Sequence, residues 1–163
     1  MDDDRLINLL GAQALALADR LGAASAPAAL VHLCAYPGTS PGALRAVLGV
    51  TDSGATRLVD RLVAAGLAQR TAGRDGRTVA VHATPAGRAA ADGALGRRRA
   101  ALAQALEPLD AEERARLEAL LEKLVAGLAD DRSGALVVCR LCDREACCTG
   151  PGCPLEHTVA PGG

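Results

Sequence analysis

The sequence predicts a mainly α-helical fold that carries one small β-hairpin. Leucine recurs at helical spacing in several segments, and most of these begin at a Ser, Thr or Asp that can cap a helix. One short stretch instead has the alternation of a strand pair on either side of Asp75-Gly76, a strong hairpin-turn signal. Half of the 163 residues are apolar, yet Tyr36 is the only Phe, Tyr or Trp. We therefore expect a core of Leu, Val and Ala between close-packed helices.

The first two predicted helices are apolar on at least one face. The first runs from about Asp4 to Leu21 and stops at Gly22, and its acidic start suits a helix N-terminus. The second spans residues 26–36 and stops at Pro37-Gly38. The apolar residues of the first helix that fall at helical spacings are Leu6, Leu10, Leu17 and Leu21.

Two shorter helices follow with a tight turn between them. Ser40 is a good N-cap, Pro41 suits the first helical position and Gly49 closes a helix of little more than two turns. Thr51 then caps a second helix that stops at Gly66. Its predicted buried stripe is Ala55, Leu58, Val59 and Leu62, and its predicted outward residues are Ser53, Thr56, Arg57, Asp60, Arg61 and Ala64.

The hairpin and a long helix come next. Residues 67–71 and 78–83 read as two strands, the second with Val79 and Val81 expected to face inward. Thr84 and Pro85 then open a helix that we expect to reach Leu106.

The last predicted helix of the compact region begins with a capping box. Asp110 and Glu113 have the required spacing, and the apolar seam that follows them is Leu117, Leu120, Leu121, Leu124 and Leu128. Residues 130–134 are polar and end in glycine, so we expect a hinge there into the remaining tail.

Charge is segregated along the chain although the formal net charge is only -1. Residues 40–83 carry six Arg against three Asp, and residues 84–109 carry four Arg against one Asp and one Glu, so these segments come to +3 and +2. The remaining segments are acidic. A basic middle between acidic ends allows one face to bind a polyanion without making the whole protein basic.

A short helix, a tight turn, a second helix with a polar face and an Arg-bearing hairpin form a winged helix-turn-helix. An α-helix fits the major groove of duplex DNA, where each base pair presents a distinct pattern of donors and acceptors. Short side chains near the helix start can approach bases or phosphates, and hairpin arginines can enter a minor groove. The predicted DNA-binding residues are Ser53, Thr56, Arg57, Arg61, Arg74 and Arg77.

The segment from Leu48 to Ala89 resembles the winged-helix core of the MarR family of bacterial transcriptional regulators. The motifs that carry this resemblance are LGVT, TRLVDRL, AAGL, the D-x-R of Asp75 to Arg77 and the T-x-x-G-R of Thr84 to Arg88. The helices before and after match the family in order and length, over about residues 4–130. The resemblance implies an obligate homodimer with intertwined terminal helices, bound to a pseudo-palindromic operator. The apolar seams of the first and last helices independently favour a dimer.

We accordingly divide the chain into two parts. Residues 1–132 form a MarR-like domain, in which 1–36 and 84–132 supply dimerisation helices and 38–83 the DNA-binding winged helix-turn-helix. Residues 133–163 form a cysteine-rich tail.

The tail holds five of the six cysteines, and their spacing suits several chemistries. Cys139 and Cys142 have the C-x-x-C spacing of zinc ligands, and a thiolate set followed by proline also suits an iron–sulfur cluster. Reversible thiol oxidation is a third reading, and no cofactor at all a fourth. The candidate metal ligands, of which four would serve, or else redox thiols, are Cys139, Cys142, Cys147, Cys148, Cys153 and His157.

These observations predict a sequence-specific regulator of transcription that binds double-stranded DNA as a homodimer. We expect a small ligand, metal or thiol oxidation to modulate it. The alternative is a winged-helix dimer that binds protein, with a zinc-stabilised tail as the docking surface. No catalytic set of nucleophile, base and orienting group is visible, so an enzyme is not expected. Without a signal peptide or a long apolar span, we expect a cytoplasmic protein that does not contact a membrane.

Overall fold

The structure is a computed structural model that describes residues 4–21, 25–73, 76–148 and 152–155. As far as residue 126 the helices and the one antiparallel hairpin follow the order that the sequence predicted, and the two short helices after that residue were not predicted. The elements are α1 Asp4–Leu21, α2 Ser25–Ala35, α3 Pro41–Leu48, α4 Asp52–Ala64, β1 Ala68–Ala72, β2 Val79–Ala83, α5 Pro85–Leu106, α6 Ala111–Ala126, α7 Arg132–Val138 and α8 Arg144–Cys147.

The predicted capping residues begin their helices as expected. The Ser40 and Thr51 side chains accept hydrogen bonds from the backbone N–H groups of Ala43 and Gly54, three residues ahead. Asp110 caps α6 in a reciprocal capping box, in which Glu113 accepts from the Asp110 backbone N–H. These bonds fix the helix starts from local sequence alone.

The main hydrophobic core lies beneath the helix-turn-helix. Helix α2 is buried along most of its length, and α3, α4, both strands and α5 pack around it. The predicted inner stripe of α4 is confirmed, since each of its residues is at most 3% exposed. The fully buried side chains of largest volume in this core are Leu33, Leu44, Val59 and Val81.

The hairpin is held to the core from both sides of its second strand. Strand β1 pairs antiparallel with β2, so that Ala68 lies opposite Ala83. Thr39 forms a further bridge to Val81, which accepts from Gly38 N–H at 3.0 Å and donates to the Thr39 carbonyl at 3.0 Å. The inward position predicted for Val79 is wrong: its side chain is 43% exposed, because β2 extends past the core toward the hairpin tip.

The junction between the hairpin and α5 explains the T-x-x-G-R motif. The Thr84 hydroxyl donates to the Gly66 carbonyl and accepts from the Gly87 N–H, while the Thr84 N–H donates to the Leu67 carbonyl. A Cβ on Gly87 would lie 1.9 Å from the Leu67 carbonyl oxygen. Arg88 donates to the Ala83 carbonyl at 3.0 Å. Position 87 needs glycine because the backbone of α5 touches the backbone of the loop before β1 there.

The outer helices contrast with this core. Neither α1 nor α6 contains a buried residue, although both are rich in leucine. Several large apolar side chains on these two helices are exposed, namely Leu6, Ile7, Leu9, Leu10, Leu15, Leu120, Leu121 and Leu124. Leu128, two residues after the end of α6, is exposed as well.

The expected hinge at residues 130–134 is wrong in part. Asp131 caps helix α7 by accepting a hydrogen bond from the Gly134 N–H at 2.7 Å. These polar residues therefore begin a helix and do not form a flexible linker. The tail then returns, and Leu155, fully buried, packs with Ala129 and Ala135 in a small second cluster. Helix α7 also packs against α3. The tail is thus folded onto the domain.

Among the helices that the structure describes, none is long and apolar enough by itself to cross a membrane. Only α1 and α2 taken together, with an 83° bend between them, have the required length and composition.

Candidate DNA-binding interface

Helices α3 and α4 are joined by a turn that sets the direction of α4. Gly49 adopts a left-handed conformation with φ +64°, which ends α3, and the Gly49 N–H donates to the Arg45 carbonyl. An ion pair of 3.3 Å between Arg45 and Asp52 spans the turn. Because this ion pair is exposed, it contributes little to stability. The orientation of α4 is set by the helix caps and by the buried stripe.

The first turns of α4 present short polar side chains and one arginine to solvent. Arg57 folds back along the helix, where it donates to the Ser53 carbonyl at 3.1 Å and to the Ser53 hydroxyl at 3.2 Å. Thr56 is exposed and donates to the Asp52 carbonyl at 3.0 Å. The structure therefore brings Ser53, Thr56 and Arg57 together on one exposed face. Arg61 lies one turn further along the helix and is also exposed.

An ion pair that the sequence analysis did not predict connects α4 to the hairpin. Arg70 on β1 donates to the Asp60 carboxylate at 2.7 Å. The two residues are ten positions apart and lie on different elements, so no local spacing rule marks them. The pair fixes the lateral position of the hairpin beside the polar face of α4.

The hairpin tip is described only in part. Gly76 has φ +66° and its N–H donates to the Gly73 carbonyl at 2.9 Å, which agrees with the predicted turn. Arg77 is exposed at the start of the returning strand. Arg74 and Asp75 lie outside the described residues.

Four tail thiols form a chain of contacts, which we call the thiol chain. It consists of Cys139, Cys142, Cys147 and Cys153. The Cys142 thiol interacts with the thiols of Cys139 and Cys147, and Cys147 also interacts with Cys153. Cys142 Sγ lies 3.9 Å from the Asp143 carbonyl oxygen, to which it donates. All four side chains are half-buried, whereas Cys148 is exposed, and His157 lies outside the described residues.

Hydrogen bonds, burial and neighbouring charges shift the pKa values of three cysteines of the thiol chain in different directions. The interaction with Cys142 lowers the pKa of Cys139, whereas the same interaction, together with burial, raises the pKa of Cys142. Burial, followed by the negative charges of its neighbours, raises the pKa of Cys147. Of Cys139, Cys142 and Cys147, only Cys139 has a lowered pKa.

A preformed metal site is not visible in the described part of the chain. No three of the described His, Cys, Asp and Glu side chains are arranged to hold a metal ion. Zinc or iron–sulfur binding by the tail therefore stays a hypothesis from the sequence.

A cavity of about 930 Å³ lies between the outer helices and the tail. Leucines of α1 and α6 and small residues of α2 form much of its apolar wall. Its charged groups within the described residues are Arg98, Arg114, Arg140, Glu118 and Glu122. The tail completes the cavity with Cys139, Cys142, Cys147 and Cys153 among its lining residues.

Comparison with known proteins identifies the fold. The family model described as "MarR family" matches residues 24–78, which include α2, α3, α4 and β1 and end just before β2. A search of curated proteins finds no match.

Solved structures match over a longer part of the chain. A probable transcriptional regulator from Pseudomonas aeruginosa is 31% identical and covers 75% of this chain and 98% of its own, with a TM-score of 0.55. A MarR-family transcriptional regulator from Silicibacter pomeroyi is 30% identical and covers 78% and 87%, with a TM-score of 0.50.

Apo MarR from E. coli is 27% identical to the chain and covers 76% of it and 97% of its own length, with a TM-score of 0.59. These three structures leave about a quarter of the present chain unmatched. The winged helix-turn-helix and the similarity to these regulators together show that the chain belongs to the MarR family of transcriptional regulators.

Proposed function

We propose that this protein is a sequence-specific regulator of transcription that binds double-stranded DNA as a homodimer. The observation that carries the proposal is the exposed face of α4, where Ser53, Thr56 and Arg57 lie together above a fully buried stripe. A helix anchored on one side and polar on the other can enter a major groove without unfolding its own core.

Each residue of this face has a distinct proposed role. Arg57 leaves its contacts with Ser53 to reach a guanine edge or a phosphate, and Ser53 and Thr56 approach the backbone or bases at the helix start. Arg61, one turn later, contacts phosphate. The hairpin, held beside α4 by Asp60 and Arg70, delivers Arg77 and Arg74 to the adjacent minor groove.

The homodimer rests on the exposed leucines of α1 and α6. Leu120, Leu121 and Leu124 of α6 and Leu128 just after it are 45% to 60% exposed. The exposed leucines of α1, which are Leu6, Leu9, Leu10 and Leu15, are 52% to 70% exposed. Large apolar side chains grouped on two helices outside the winged core are unfavourable in water. A second copy of the chain, packed through the same helices, covers both surfaces and places two α4 helices on one DNA duplex.

The experiment measures binding of fluorescent DNA from the region upstream of the protein's own coding sequence. We expect Arg57→Ala combined with Arg77→Ala to reduce affinity by at least tenfold, since each lost arginine contact to a base or phosphate is worth about 1–3 kcal/mol. Arg116→Ala is the matched control, because Arg116 is an exposed arginine on α6 paired with Glu112. Equal losses in the control and in the double variant would exclude the proposed interface.

Salt dependence distinguishes DNA binding from a docking role toward proteins. Contacts to phosphates release counterions, so affinity falls steeply with salt, and removal of one phosphate contact lowers the logarithmic slope by about one. An affinity that does not change with salt would contradict phosphate contacts.

The cavity between the outer helices and the tail is the proposed site of a small effector. Its walls combine leucine side chains with Arg98, Arg114 and Arg140, which outnumber the carboxylates of Glu118 and Glu122, and this combination suits an amphipathic organic anion. A ligand there contacts both the dimerisation helices and the tail. Regulation of chromosomal DNA requires a cytoplasmic location, which we propose on that ground alone.

A further inference from the structure

The first two cysteines of the thiol chain are held side by side by the backbone. The Cys142 N–H donates to the Cys139 carbonyl at 2.9 Å, which closes a four-residue turn directly after helix α7. Such a turn keeps the first and fourth Cα atoms within about 7 Å of each other, close to the range that disulfides span. Both cysteines are free, and their sulfurs already interact.

The pair is reachable although it is half-buried. Cys139 and Cys142 line the cavity of about 930 Å³, so a small oxidant that enters the cavity meets both sulfurs. The exposed Cys148 lies outside the thiol chain.

The turn between the two cysteines is connected to the winged helix-turn-helix. Leu141, inside the C-x-x-C, packs against the main core. Helix α7, directly before it, packs against α3, the helix that precedes the recognition helix. Arg144, directly after it, donates to the Tyr36 hydroxyl at 2.9 Å and lies 5.5 Å from the centre of the Tyr36 ring. A change in the turn therefore reaches α2 and α3 through three separate contacts.

We propose that Cys139 and Cys142 are a redox-sensitive dithiol, which forms an intramolecular disulfide with an organic hydroperoxide and thereby alters DNA binding. The regulatory half of this proposal rests on the proposed function. The disulfide itself does not.

The reaction balances with the hydroperoxide as the oxidant. The Cys139 sulfur attacks the terminal oxygen, the O–O bond breaks, and the alkoxide takes the Cys139 thiol proton and leaves as an alcohol. Cys139 is then a sulfenic acid. The Cys142 sulfur attacks the Cys139 sulfur, and the hydroxyl leaves as water with the Cys142 proton. Two thiols lose two electrons and two protons, and the hydroperoxide is reduced to alcohol and water.

The disulfide is tested by peptide mapping of the full chain after treatment with cumene hydroperoxide. Trypsin cleaves after Arg140 and Arg144, so Cys139 and Cys142 fall on different peptides, and Cys147 falls on a third. We expect the Cys139–Cys142 link in the wild type and in Cys148→Ser, and its loss in Cys142→Ser. A dominant link between any other pair, or between two chains, would overturn the proposal. So would stoichiometric zinc that protects the thiols until it is chelated.

The coupling is tested by two readouts on the same samples. We expect oxidation to change the affinity for DNA on the order of tenfold, within the usual range of coupling between two sites. Tyr36 is the only Tyr or Trp in the chain, so tyrosine fluorescence reports on its contact with Arg144. We expect a change on oxidation that is absent in Cys142→Ser.

The outcomes separate the two proposals. If the reduced protein binds no DNA, the proposed function fails, while peptide mapping and fluorescence still decide whether the dithiol forms and moves the tail. A mapped disulfide that leaves both fluorescence and DNA affinity unchanged would overturn the coupling.

Discussion

The winged region and the outer helices are built from similar amino acids but differ in how they bury them. Most leucines and valines of α2, α3 and α4 are at most 7% exposed, Leu48 and Val63 are partly buried, and the strands close the core from the side. Helices α1 and α6 bury no residue. The winged region therefore completes its own core within one chain, whereas the outer helices need a second surface. An apolar composition indicates that side chains will be buried. Only the packing of the elements shows which surface covers them.

The largest expected effect removes that second surface. Leu120→Glu combined with Leu124→Glu places four carboxylates in each two-fold interface, and we expect the dimer dissociation constant to rise on the order of a thousandfold, about 4 kcal/mol. Sedimentation at micromolar concentration measures it. Lys123→Glu, an exposed change on the same helix, is the control and should remain dimeric. A wild-type chain that sediments as a monomer would remove the basis for this comparison.

A smaller effect is expected where the winged core meets α5. Gly87→Ala places a methyl group where the Leu67 carbonyl lies, so we expect a loss of about 3 kcal/mol in the free energy of unfolding, the upper range for overpacking. Gly96→Ala is the matched control in the same helix, because a Cβ there meets no atom within 4 Å. We expect it to stabilise the protein by about 0.5–1 kcal/mol. Denaturant unfolding of both variants decides, and a neutral Gly87→Ala would contradict the backbone contact.

The smallest expected effect concerns His32, the buried histidine of the main core. It is 7% exposed, its ring lies 4.8 Å from that of Tyr36, and burial lowers its pKa. The unfolded chain therefore takes up a proton at a higher pH than the folded chain, and stability falls as pH drops below about 6.5 toward the lowered value. We expect this loss of stability to be smaller than the one caused by Gly87→Ala.

Melting temperatures at pH 7.5 and pH 5.5 measure this linkage. We expect the wild type to lose more than His32→Leu, in which the titrating group is absent, whatever the variant's starting stability. Equal losses in the two proteins would show that His32 does not contribute to the acid sensitivity of the winged core.

Much of the fold and part of the candidate site were predictable from the sequence because their causes are local. The caps at Ser40, Thr51, Thr84 and Asp110 each bond to a backbone group three residues ahead. The inner stripe of α4 follows from helical periodicity, and the same periodicity assigns Ser53, Thr56 and Arg57 to the exposed face. Interactions that span one turn of a helix depend on residue spacing, so they can be predicted from the sequence alone.

The tertiary structure decided what depends on residues far apart in the chain. It placed Thr39 beside Val81, Arg70 against Asp60, and the Gly87 backbone against Leu67. It replaced the expected hinge by helix α7 and folded the tail onto α3, where four cysteines that were interchangeable in the sequence acquired an order of contacts. Such pairs form when distant parts of the chain pack together, and no local pattern specifies which distant surfaces that packing brings into contact.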